Sequence, residues 1–149
     1  MADILYTNNL HTVLKSGTYV FGDPCYSFSH DTTTWQEFCN QADFSKDILF
    51  VKANNKQAVM CSTAFGDGMF DTWISKEISK KSHCTLPVDA GMLGFVLVSD
   101  VEYNSTYQKN NKVGQVVTLK EDCYLLNDNG IIRLYTISED TLVLSVDTR

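Results

Sequence analysis

Short runs of β-branched and aromatic residues, cut apart by turn chemistry, dominate this chain and confine it to a mainly β fold. Thr18 to Phe21 is one such run, and Gly22-Asp23-Pro24 ends it because proline cannot donate to a strand ladder. Ile48 to Val51 and Gln57 to Ala64 flank Asn54-Asn55-Lys56, which predicts a hairpin. Phe65-Gly66-Asp67-Gly68-Met69-Phe70 places two glycines around an acid and predicts a second tight turn. Val88-Asp89-Ala90-Gly91 leads into Met92 to Val98, where Gly94 fits a bulge or a close backbone approach. Gln115 to Leu119, Cys123 to Leu126, Ile131 to Ile137 and Leu142 to Val146 complete an antiparallel meander over about 115–147. Asn129-Gly130 supplies its type I′ hairpin signal.

One helix stands out. Thr34 with Glu37 has the spacing of a capping box, and Trp35, Phe38, Cys39 and Ala42 share a face at helical period. Ser75 to His83 is polar apart from Ile78 and reads as an exposed excursion or one helical turn, outside the core, and Tyr103 to Lys112 reads as a surface loop. No repeat or composition shift divides the 149 residues, a length that normally makes one domain. The expectation is a single domain over 1–149: an antiparallel barrel or a two-sheet sandwich, with one short α-helix plugging an end or covering an edge.

The charge balance narrows the partners. Twelve Lys and Arg against eighteen Asp and Glu give a net charge of -6, which repels duplex nucleic acid and anionic membranes. The first twenty residues carry no apolar run of signal-peptide length, and no stretch approaches a membrane span, so a cytoplasmic location is expected. Cys25, Cys39, Cys61, Cys84 and Cys123 are odd in number, contain no CxxC pair and read as reduced thiols. The sequon Asn104-Ser105-Thr106 reads as polar loop in such a chain.

Three loops carry the candidate chemistry: Gly22-Asp23-Pro24-Cys25-Tyr26, Gly66-Asp67-Gly68 and Val88-Asp89-Ala90-Gly91. Each sets an aspartate beside a residue suited to a sharp turn, so each carboxylate can accept backbone N–H bonds inside its own turn. If the loops converge on one rim, Asp23, Asp67 and Asp89 with Asp71 can instead hold a divalent ion or orient a polar ligand. The ordered set GDPCY, a helix with Trp35 and Phe38, STAFGDG and VDAG.LGF resembles a group of small uncharacterised bacterial and phage proteins that share GDP, GDG and VDAG elements. The resemblance covers about residues 17–98 and leaves the meander outside. It implies no particular activity, and it favours a phage-like accessory protein.

Other chemistries find fewer residues. Cys25 is the candidate nucleophile, with His30 or His83 as the base that a thiolate mechanism needs. His83-Cys84 has no second pair at zinc-ligand spacing, and neither phosphate-loop motif occurs. Lys76, Lys80, Lys81 and His83 form a basic cluster that reads as a solvated loop. Tyr26, Trp73, Tyr103 and Tyr107 stand at loop borders, where exposed rings favour a protein or base partner.

The resulting expectation is a non-catalytic binding or accessory protein without a cofactor. It engages a host or cognate protein, or a small polar ligand, through Asp23, Tyr26, Asp67, Trp73 and Asp89, and a homo-oligomer is compatible with the sequence. The alternative is a metal-dependent or thiol hydrolase using the Asp loops or Cys25.

Overall fold

A computed structural model of the chain describes residues 2–28, 33–102 and 114–149. His30, the sequon, Tyr103, Tyr107 and the whole of the expected loop at 103–112 lie outside the described residues.

In chain order the elements are β1 (Leu5–Thr7), β2 (Thr12–Leu14), β3 (Gly17–Gly22), α1 (Pro24–Phe28), α2 (Thr33–Gln41), β4 (Ile48–Ala53), β5 (Lys56–Ser62), β6 (Gly68–Ile74), β7 (His83–Val88), β8 (Met92–Leu97), β9 (Gln115–Leu119), β10 (Cys123–Asp128), β11 (Ile131–Thr136) and β12 (Leu142–Asp147). They form two antiparallel sheets, a seven-stranded one ordered β1-β2-β10-β11-β12-β6-β7 and a five-stranded one ordered β4-β5-β8-β3-β9. The sheets do not close into a barrel; the architecture is the sandwich of the two expected alternatives.

Strand alternation explains how one chain builds two apolar layers. On β3, Tyr19 and Phe21 face the seven-stranded sheet while Val20 faces away; on β5, Val59 and Cys61 face in while Ala58 and Met60 face out. The inward set meets Ile74, Leu125, Ile132, Leu134 and Leu144 of the larger sheet and forms the main core. The outward set is covered by Phe28 of α1 and Phe38 of α2, whose rings meet edge to face at 4.8 Å. Over β5 and β8 both faces of the five-stranded sheet are therefore buried, which is why these strands are apolar almost without interruption, whereas Val116 and Thr118 on edge strand β9 are exposed.

The two-residue hairpins fall where the turn residues predict them. Asn54 and Asn55 have φ of 53° and 62° between β4 and β5, and Asn129 has φ 49° before Gly130 between β10 and β11. Gly94 serves close approach: a Cβ there would stand 2.5 Å from the Val59 carbonyl oxygen and 3.0 Å from Pro24, so its absence lets α1 lie against β8.

Several local expectations change. The meander is shorter than 115–147, because β9 pairs with β3 in the five-stranded sheet and only β10, β11 and β12 run as consecutive antiparallel neighbours. Asp23 and Pro24 start the additional short helix α1, with aspartate as its N-cap and proline in its first position. Helix α2 begins at Thr33, two residues before the expected start at Trp35, and the hydroxyls of Thr33 and Thr34 both accept from Asn54 Nδ2 at 3.0 Å. Its buried residues are Thr34 and Phe38, with Trp35 and Ala42 packed partly beneath it, whereas Cys39 is exposed. Ile78 does not stay in solvent, because a turn at 75–79 returns it to the main core and its carbonyl accepts from Thr118 of β9 at 2.7 Å.

Candidate functional site

Helix α1, the bend between β5 and β6, and the turn between β7 and β8 come together at one end of the sandwich. Asp23, 1 % exposed, is the junction. One carboxylate oxygen accepts from the Cys25 N–H at 2.9 Å inside its own helix cap. The other accepts from the Asp89 and Ala90 N–H groups at 2.6 and 2.8 Å, so a single side chain ties two loops that are 66 residues apart. Tyr26, buried on α1, returns the link by donating its hydroxyl to Asp89.

The third loop joins through Thr63. Its N–H donates to the Gly91 carbonyl at 3.2 Å and its hydroxyl to the Gly66 carbonyl at 2.6 Å. Gly91 has φ 73°, and a Cβ on it would come within 3.2 Å of the Phe44 ring and 3.8 Å of Gly66 Cα. The C-terminal strands stitch the same end: the Thr148 hydroxyl accepts from the Ala64 N–H at 2.9 Å, and Asn127 Nδ2 donates to the carbonyls of Asp47 and Ser62 at 2.7 and 3.0 Å.

The loops thus converge, but not as a ring of carboxylates. Asp67 is exposed and its side chain makes no hydrogen bond among the described residues. Asp71 lies on β6 and accepts from the Thr85 hydroxyl of β7 at 2.8 Å. Among the described residues, no three His, Cys, Asp or Glu side chains stand close enough together to hold a metal ion. Cys25 is 2 % exposed in α1 rather than in an open turn, and burial followed by the neighbouring Asp23 carboxylate pushes its thiol far up, which disfavours a thiolate. His83 is exposed on β7 in the other sheet, paired in register with Trp73.

The Phe65 bend and the neighbouring connection between α2 and β4 also present two aromatic rings to solvent. Phe65, at the bend held by Thr63 and Thr148, is 83 % exposed, and Phe44 is 62 % exposed. Phe44 stands on a turn in which the Asp43 carboxylate accepts from the Ser45 hydroxyl and N–H at 2.5 and 3.0 Å; those bonds hold the Asp43 carboxyl below its ordinary value. Phe44 is the wall between two concavities. On one side an apolar slot of about 110 Å³ runs between α2 and the five-stranded sheet; on the other a hollow of about 380 Å³ is lined by Asp47, Ser62, Phe65 and Arg149 among others. Sequence reasoning passed over both phenylalanines, although each is a lone aromatic inside turn chemistry, in Asp43-Phe44-Ser45 and Phe65-Gly66.

Trp73 lies elsewhere. It shares the outer face of the seven-stranded sheet with Asp71, His83, Thr85, Ser145 and Asp147, which line a shallow depression of about 560 Å³. No residue of that depression lines the slot or the hollow beside Phe44.

No helix among the described residues is long and apolar enough to cross a membrane. No protein-family model, curated protein or solved structure matches this chain.

Proposed function

We propose that this chain is a non-catalytic binding protein that engages a cognate or host protein through the rim built by the Asp23, Gly66 and Asp89 loops. The observation that carries this reading is the exposure of Phe44 and Phe65, at 62 % and 83 %, on turns held by hydrogen bonds, the Phe65 bend by Thr63 and Thr148 and the Phe44 turn by Asp43. Two solvent-exposed aromatic rings close together are costly to leave uncovered, and aromatic side chains are enriched among the residues that dominate protein interfaces. Loops already fixed before contact lose little conformational entropy on binding. Asp23 then serves the function indirectly, by holding the rim in shape.

Capture from a lysate of the source or host cell, quantified by mass spectrometry, tests the reading. A protein retained by the wild type and lost from the Phe44→Ser/Phe65→Ser variant is the expected result. An identical captured set for the two proteins would overturn it.

A second reading rests on the depression around Trp73. Its volume of about 560 Å³ falls within the range of small-ligand sites, roughly 300–1,000 Å³, and it sets an indole beside Asp71, His83 and Asp147. A small polar ligand that stacks on the indole would change Trp73 fluorescence, and the change would vanish in Trp73→Phe.

A further inference from the structure

We infer that the slot beside Phe44 receives one aliphatic or methionine side chain from a partner segment whose neighbouring residues are basic. The inference rests on the rim being a protein-docking surface, and it names the chemistry of the partner. The slot is bounded by Trp35, Phe38, Ala42, Phe44, Met60 and Met92, and its exposed lining is wholly apolar. A volume of about 110 Å³ holds a single side chain, since apolar cavities near 150 Å³ stay dry and accept one small apolar guest. A polar side chain there would lose its water and find no hydrogen-bonding partner.

The surroundings select the residues that flank that side chain. Asp89 precedes Ala90 of the slot wall, Asp43 precedes Phe44, Asp47 lines the hollow behind Phe44, and Asp67 follows Gly66; Asp47, Asp67 and Asp89 are exposed. Against these four carboxylates stand Lys46 on the Phe44 turn and Arg149, which lies 3.6 Å from Asp147. The overall charge of -6 has the same sign as the rim, so steering and contact both favour Lys and Arg on the partner. An acidic or purely apolar partner would meet unrelieved repulsion or unpaired charge.

The test is selection of displayed random peptides of about twelve residues on the intact wild-type protein. Affinities of the enriched peptides are then measured for wild type, Phe44→Ser/Phe65→Ser, Ala90→Leu, which fills the slot from its own wall, and Asp47→Lys/Asp67→Lys. Melting temperatures confirm that each variant is folded. The expected result is one Leu, Ile or Met close to Lys or Arg in the enriched set. Binding should weaken about tenfold or more in Ala90→Leu and in the charge-reversed variant, with a shallower salt dependence in the latter. Enriched peptides that depend on Phe44 and Phe65 but lack this pattern, or that tolerate Ala90→Leu, overturn the inference and leave the docking surface standing. Failure to enrich any peptide dependent on the two phenylalanines overturns both.

Discussion

The two sheets of this sandwich solve burial in different ways. The five-stranded sheet has apolar layers on both faces, the main core on one side and the helices on the other, and its central strands read as continuous apolar runs. The seven-stranded sheet buries one face only: β6, β7 and β11 alternate, and their outward residues Asp71, His83, Thr85 and Arg133 are exposed. The main core draws on both sheets, and the five-stranded sheet adds a second apolar layer under the helices. The rim stands where the covered sheet, its helices and the C-terminal strands meet.

The largest expected effect lies under the helices. Phe38 is fully buried against Phe28 and the outer face of the five-stranded sheet, so Phe38→Ala should cost about 3–5 kcal/mol in chemical denaturation. Arg133→Ala on the open face should stay within about 0.5 kcal/mol. Equal losses at the two positions would erase the contrast between the sheets.

Gly94→Ala comes next. The added methyl meets the Val59 carbonyl at 2.5 Å, backbone that cannot swing aside, and a loss of about 1–3 kcal/mol is expected from the same measurement. An unchanged midpoint would show that Val59 of β5 and Pro24 of α1 do not approach Gly94 this closely.

At Asp23 the expected order is alanine worse than asparagine. Ala leaves the N–H groups of Cys25, Asp89 and Ala90 without their acceptor, at about 1–3 kcal/mol, whereas Asn keeps a carbonyl oxygen for part of them. Amide hydrogen exchange at Asp89 and Ala90 should accelerate in Asp23→Ala. Equal stability of the two variants would remove Asp23 from its role as the tie between loops.

The cysteines give the smallest and most graded effect. None of the five is in a disulfide, and burial pushes the Cys61 and Cys123 thiols from 9.0 up to about 12. Their folded values exceed the unfolded ones, so the stability they contribute is fully present below pH 9 and is lost as pH rises toward 12. Thermal melts should therefore fall through that window, less steeply in Cys61→Ala. At neutral pH, exposed Cys39 should react with a thiol reagent long before Cys25, Cys61 and Cys123. Rapid modification of all three buried thiols would contradict the packing on both sides of the covered sheet.

How much of this was legible in the sequence follows local signal strength. The Asn54-Asn55 and Asn129-Gly130 hairpins, the Phe38 face of α2 and the close approach at Gly94 were readable because each rests on neighbouring residues. Strands β1 and β2 were missed because three residues carry no period, and β7 because Pro87 reads as a strand breaker although Cys84, Leu86 and Val88 alternate; tertiary pairing makes these strands. The Asp23-Pro24 pair was read only as a strand stop, although aspartate before proline is also a helix start. Of the candidate site, convergence was the alternative reading for Asp23, Asp67, Asp89 and Asp71, and hydrogen bonds join only Asp23 and Asp89 of these, with Tyr26 as a further partner. The partners that occupy Asp23, the position of Asp71 on a strand and the exposure of Phe44 and Phe65 depend on contacts across the fold, which spacing alone does not encode.

The central claim is that Phe44 and Phe65 serve contact rather than folding, and Phe44→Ser/Phe65→Ser tests it most directly. Denaturant unfolding of this variant, run beside the lysate capture, should show a stability within about 0.5 kcal/mol per site of the wild type together with loss of the captured partner. A loss of several kcal/mol, or undiminished capture, would make the two rings part of the fold and contradict the account.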